Sequence, residues 1–202
     1  MKNIIFFAFL FVFILTIAGF FGCYDILTYF LEVIPVFVGI LVLFYFHHKQ
    51  INIPNYLIII IFIHMLILII GGYYSYAKVP LFDYLKIIFN WSRNNYDKVG
   101  HFMQGVTPFL ITKEFLKRNH SIKSNFTLNF LSISVALAFS ALYELFEFFS
   151  TIILGSKAND FLGMQGDIWD TQKDMLFALI GALTSCTIQK IAQNWRFKCQ
   201  AE

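Results

Sequence analysis

Six long apolar stretches, separated by short polar turns, organise the 202-residue chain. A helix that crosses hydrocarbon needs about 20 mostly apolar residues. Residues 4–21 and 26–46 meet that length, with Gly22-Cys23-Tyr24-Asp25 as a tight turn between them. The second stretch carries Glu32 and Pro35 and ends at His47-His48-Lys49-Gln50. Residues 54–76 form the third, closing on Tyr73, Tyr74 and Tyr76 in the manner of an aromatic belt. Between 77 and 96, Leu81, Phe82, Leu85, Ile88 and Phe89 recur at near-helical spacing among Asp83, Lys86 and Asn90. That pattern predicts a short helix lying at the membrane interface. The fourth stretch, about 97–116, is the most polar and contains His101, Gln104, Pro108, Lys113 and Glu114. The fifth, about 126–154, is long enough to tilt, and the sixth, about 171–191, opens among acids and closes near Lys190.

The expected fold is therefore all-α: a polytopic transmembrane helix bundle of six spans. Residues 1–53 supply two N-terminal helices, 54–192 a core of four helices with the interfacial segment, and 193–202 a cytoplasmic tail. Composition agrees. Hydrophobic residues are 58% and charged residues 13%, against roughly 25% charged in a soluble domain. The bilayer accounts for the shortfall, because lipid-facing positions must be apolar. The net charge of +3 is small and no basic patch stands out, so no nucleic-acid footprint is present. Cys23, Cys186 and Cys199 are too few and too scattered for a disulfide framework or a metal motif, and Cys186 reads as a small packing residue. Lys2 with the uncharged run 4–21 is too long for a usual signal-peptide core, and Phe20-Phe21-Gly22-Cys23 is a poor lipoprotein cleavage box. The run is expected to stay as the first span.

Orientation follows the Lys/Arg bias. With the N-terminus inside, Lys2, Lys49, Lys113, Lys117, Arg118, Lys123, Lys190, Arg196 and Lys198 are cytoplasmic; Lys78, Lys86, Arg93, Lys98, Lys157 and Lys173 are not. Nine against six favours N-in/C-in in the cell inner membrane. Of the 12 acids, only Glu114 and Glu202 then fall inside.

Three segments carry the unusual chemistry. In Tyr96-Asp97-Lys98-Val99-Gly100-His101, Asp97 and His101 are four apart on one helical face, with Gln104 three further on. Ser140, Glu144 and Glu147 lie on successive turns of the fifth stretch. Asp167, Asp170 and Asp174 form a stripe at the start of the sixth. Under N-in topology all three segments meet at the outer membrane boundary. Glu144 and Glu147 then sit in an otherwise apolar helix, where an ionised carboxylate costs roughly 2.5–3.5 kcal/mol even on the mild insertion scale. A proton, a cation or a donor such as His101 must balance them. Blander roles stand beside this one: Asp167, Asp170 and Asp97 could cap helices. Glu32 and His64 fit packing roles, and Trp169 fits an interface anchor.

The strings D-K-V-G-H-F-M-Q-G-V-T-P, A-L-Y-E-L-F-E and G-M-Q-G-D-I-W-D-T-Q-K-D-M, with I-G-G-Y-Y-S-Y-A-K-V-P upstream, resemble the YjdF-type inner-membrane family of bacteria over about residues 55–190. That family usually shows His where this chain has Tyr73, which argues against an indispensable ligand there. The family is uncharacterised, so the resemblance implies location and topology but no reaction. A more distant similarity to VanZ-like membrane proteins rests on Asp97, Lys98 and His101, followed by a glutamate-bearing helix and an acidic segment. It implies an envelope role by analogy.

Three functions stay open. The first is a membrane enzyme acting on an envelope or lipid-linked substrate. His101, Glu144 and Asp174 could hold a divalent cation. Otherwise His101 could act as general base oriented by Asp97, with Glu144 or Glu147 as acid and Asp170 and Asp174 nearby. No nucleophile elbow, H-E-x-x-H or P-loop is present. The second is a small transporter or proton-coupled carrier, although no internal repeat supports it. The third is a non-catalytic scaffold held together by polar contacts, each worth only about 0.6 kcal/mol in a membrane.

Overall fold

Backbone N–H and C=O groups in hydrocarbon must find partners within their own segment, and helices satisfy that demand. The structure is a computed structural model that describes residues 2–118, 122–155 and 165–201, and helices are the only regular elements among the described residues. They are α1 (Lys2–Gly19), α2 (Ile26–His48), α3 (Asn55–Tyr73), α4 (Pro80–Ile88), α5 (Tyr96–Arg118), α6 (Asn125–Leu154) and α7 (Asp170–Ala201). Lys157, the Gly163-Met164 start of the third segment and Glu202 lie outside the described residues.

Each apolar stretch is a helix, and the short interfacial helix is present as α4. Four helices are long and apolar enough to cross a membrane: α2, α3, Asn125–Ile153 of α6 and Asp170–Gln193 of α7. The apolar part of α1, Phe6–Gly19, is shorter. α5 has the length, but its polar residues keep it outside that set. α7 runs beyond the expected end of the sixth stretch to Ala201.

The chain divides into two compact units. The first comprises Met1–Gly100 with Glu144–Asp170, the second His101–Tyr143 with Thr171–Glu202. In the first, α1, α2 and α3 pack on one another. Asp25 starts α2 by accepting a hydrogen bond from the Thr28 amide at 2.7 Å, the ordinary work of an N-cap carboxylate. Tyr29, fully buried, donates its hydroxyl to the Thr16 carbonyl at 2.8 Å and meets the Phe20 ring edge-on at 4.8 Å. α4 begins at Pro80, whose missing N–H suits a first helical position. None of its residues is buried, and it turns Leu81, Tyr84 and Ile87 outward. That apolar face suits the interfacial position predicted from the sequence.

In the second unit, small residues let α5 and α7 touch backbone to backbone. A Cβ on Gly105 would overlap the Ala178 carbonyl, and one on Gly181 would overlap the Phe102 carbonyl. Ala178 and Ala182 on the same face of α7 are fully buried. Lipid is as apolar as leucine, so helices in a bilayer gain little by hiding large side chains and associate through such close contacts. Gly105→Leu should therefore push α5 off α7 and lower stability by about 1–3 kcal/mol, read as thermal unfolding in detergent. An unchanged midpoint would mean that the two helices do not meet at Gly105.

Candidate functional site

The first unit holds a buried ion-pair network where α5 and α7 begin. Arg93, just ahead of α5, has a side chain only 5% exposed and donates to both Asp97 and Asp170. Lys98 Nζ lies 2.6 Å from Asp170 Oδ1 and 3.3 Å from Asp97 Oδ2, so cations and carboxylates alternate. Asp167 Oδ2 is 3.8 Å from the guanidinium, while its other oxygen accepts from the Trp169 amide at 3.1 Å. Asp97 lies in the first turn of α5 and Asp170 opens α7. Both carboxylates thus stand at helix N-termini, where the aligned peptide dipoles favour negative charge. Burying each ion costs several kcal/mol, which multiple charge-assisted hydrogen bonds must offset.

A clamp beside the network fixes the loop before α5. The Asn94 amide donates to Gln165 Oε1 at 3.0 Å, and Gln165 Nε2 donates back to the Asn94 carbonyl at 2.9 Å. The Asn94 side chain donates to Asp83 and to the Val79 carbonyl while accepting from the Tyr96 amide. One asparagine therefore satisfies the start of α4, the start of α5 and the segment before α7.

Tyr76 forms a third feature of this unit. It is set deep, against the Tyr96 ring at 5.7 Å, although part of its surface stays accessible. Burial pushes its phenol well above its usual pKa, and the nearby Glu32, Tyr96, Glu147 and Asp97 add to the shift. The phenol stays protonated because a phenolate would face three acidic side chains in a low dielectric. Glu32 is buried in α2, and Glu144 is buried in the C-terminal half of α6.

The second unit carries a histidine–aspartate pair. His101 and Asp174 are 6% and 3% exposed. His101 Nε2 lies 3.7 Å from Asp174 Oδ1, its Nδ1 lies 3.1 Å from Gln104 Oε1, and the Tyr143 ring leans on the imidazole at 6.1 Å. Gln104 Oε1 would accept from Nδ1 in the tautomer protonated there, and a neutral imidazole in that tautomer would turn the Nε2 lone pair toward the carboxylate. At 3.7 Å the two atoms are too far apart for a direct hydrogen bond. With ligand bonds of about 2.1 Å, both could bind one cation at an angle of about 120°.

The sequence-expected residues thus fall into groups. Asp97 and Asp170 join through Arg93 and Lys98, Glu147 and Asp97 gather about Tyr76, and His101 meets Asp174. Sequence reasoning passed over Arg93 and Gln165, and it placed Tyr76 in the aromatic belt. A signal for Arg93 existed in its spacing of four residues from Asp97, although Arg93 itself lies in the bend ahead of α5.

A chain whose described residues form helices as their only regular elements, four of them of membrane-crossing length and apolarity, is an integral membrane protein. It belongs to the family described as "Predicted membrane protein (DUF2238)", which matches residues 3–194. It is 44% identical over 164 residues to the "Inner membrane protein YjdF" of Escherichia coli (strain K12), covering 81% of this chain and 78% of that relative. No solved structure matches the chain. The family resemblance expected from the sequence is borne out, and the inner-membrane, multi-pass location expected for the chain agrees with the relative and with its own apolar helices.

Proposed function

We propose that the chain is a membrane enzyme acting on an envelope or lipid-linked substrate, with His101 and Asp174 at the heart of its site on the extracytoplasmic face. The observation that carries the reading is the buried pair itself. His101 Nε2 and an Asp174 carboxylate oxygen face each other at 3.7 Å, an arrangement that a divalent cation or a transferable proton would stabilise. In the metal version His101 and Asp174 would hold the ion, which would supply Lewis-acid polarisation of a phosphoryl or carbonyl oxygen. In the metal-free version His101 takes the proton and Asp174 stabilises the imidazolium. Glu144 and Glu147 are the acids that the sequence pattern adds, and their part rests on that pattern. Asp97 and Asp170, taken up by Arg93 and Lys98, hold the starts of α5 and α7 in place.

Metal analysis of the purified protein tests this. The metal version expects near-stoichiometric divalent metal in wild type and none in Asp174→Asn. Full function under chelation, with no metal bound, leaves the proton-transfer version. A folded Asp174→Asn protein that complements a deletion strain fully removes both.

The topology belongs to the same proposal: six spans, N-in/C-in, with α1 and α5 crossing alongside the four most apolar helices. The Lys/Arg bias supports it. Asn90→Cys should then react with an impermeant thiol reagent in intact cells, and Arg118→Cys should not. The reverse pattern would turn the bundle over and move the site to the cytoplasmic face. A proton-coupled carrier is the second reading, favoured by a protonated Tyr76 set among Glu32, Glu147 and Asp97. Flux driven by a pH gradient in proteoliposomes separates it from the enzyme.

A further inference from the structure

We propose that Lys113, with Lys117 and Lys190, binds a phosphate group in the second unit, away from the His101–Asp174 pair and independent of its chemistry. Lys113 is 4% exposed, an unusual place for a lysine that lacks a carboxylate partner. Its Nζ stands 5.2 Å from the centroid of the fully buried Phe109 ring. The acid next to it in sequence, Glu114, pairs with Arg118 at 2.8 Å. No other described residue forms an ion pair with Lys113.

The ring alone is a weak counterweight: a cation–π contact is a modest attraction, and the partly buried ammonium still has no carboxylate beside it. The sequence around it offers no further anion. Residues 125–143 of α6 and 175–201 of α7 contain no Asp or Glu. Two more cations are close enough to act on Lys113 through space, Lys117 one turn on and Lys190 of α7. Cys186, which also acts on it, is buried on α7. Gln189, three residues after Cys186 and so on the same face, has a buried Oε1 with no hydrogen-bond partner. Its amide carries N–H donors as well as that acceptor. Three ammonium groups and an amide suit a tetrahedral oxyanion, which accepts several short charge-assisted hydrogen bonds at once.

Position suits the same ligand. Lys113 stands five residues before the end of α5 at Arg118, about 7.5 Å along the axis. From that depth a lysine can extend its ammonium to the level of lipid phosphates. A phospholipid headgroup and free inorganic phosphate offer the same chemistry, and the experiment distinguishes them.

The test uses the purified full-length protein in detergent and native mass spectrometry. The ligands are phosphatidylglycerol, a phosphate-free glycolipid and inorganic phosphate. Wild type should retain phosphatidylglycerol in clear preference to the glycolipid. Lys113→Gln should bind it about tenfold more weakly, as expected for losing a charge at this depth, and Lys113→Arg should keep most of the binding. If inorganic phosphate displaces the lipid and binds wild type but not Lys113→Gln, the soluble anion is the ligand. If it does neither, the lipid is. Should Lys113→Gln fail to fold, the Lys117→Gln/Lys190→Gln double variant must show the same loss. Equal retention of both lipids by wild type with no binding of inorganic phosphate, or undiminished binding by the variants, overturns the proposal.

Discussion

Replacing Asp170 with alanine is expected to lower folding stability by about 3–5 kcal/mol, the range for removing one partner from a buried ion pair. Asp170 is where Arg93 and Lys98 meet, and its own side chain is 5% exposed. Its loss leaves a buried guanidinium and a buried ammonium sharing Asp97, with Asp167 at 3.8 Å from the guanidinium as the nearest reserve. Two cations in a low dielectric then repel each other at short range. Asp170→Asn keeps the volume and an acceptor but not the charge, so its loss should be smaller. Adding Lys98→Met to Asp170→Ala removes the surplus cation and should restore part of the stability, a coupling of at least about 0.5 kcal/mol. Denaturant unfolding in mixed micelles of wild type, Asp170→Ala, Asp170→Asn, Lys98→Met and the double variant measures these effects. A loss below about 1 kcal/mol for Asp170→Ala, typical of a solvated surface pair, would mean that water reaches the network.

His101→Ala should lower function by about 10²–10⁴-fold, the usual contribution of a positioned acid–base group. The imidazole is held by Gln104 at Nδ1 and faces Asp174 through Nε2. In the proposed site Gln104 would be a positioning residue, because its amide oxygen at Nδ1 favours the tautomer that turns Nε2 toward Asp174. Gln104→Leu should therefore weaken metal affinity by about 10–100-fold, as losses of outer-shell partners do. In the metal-free case it should instead shift the pH profile of activity, while Gln104→Glu should restore an acceptor at the same place. These readouts separate a working site from structural glue, since glue would give lower stability with normal affinity and pH dependence. A folded His101→Ala protein with full activity would remove the site altogether.

Much of the architecture was legible beforehand. Hydropathy located every long helix, and the spacing of Leu81, Phe82, Leu85 and Ile88 located α4. The reason is physical: a chain passing through hydrocarbon must close its backbone hydrogen bonds within each segment, so an apolar stretch of sufficient length has one conformation open to it. The pairing of His101 with Asp174 was also within reach, since both were singled out as ionisable groups in or beside apolar stretches.

Partner choice was less accessible. Asp97 and His101 share a helical face, which suggested that one orients the other, yet Asp97 binds Arg93 and Lys98. Arg93 reaches Asp170 across 77 positions, and nothing in local spacing announces such a contact. Tyr76 resembled its neighbours Tyr73 and Tyr74, but a turn in the left-handed backbone region at Ser75 and Tyr76 sends it a different way.

By itself, then, the amino-acid order determined that the chain is helical and lives in a membrane, because composition and periodicity are local properties. Only the tertiary structure decided which cation answers which carboxylate, that Gln165 ties down the start of α5, and that Lys113 is buried without an acid. Those outcomes depend on which helix faces meet, and in this chain Gly105 and Gly181 set one such meeting by letting two backbones touch.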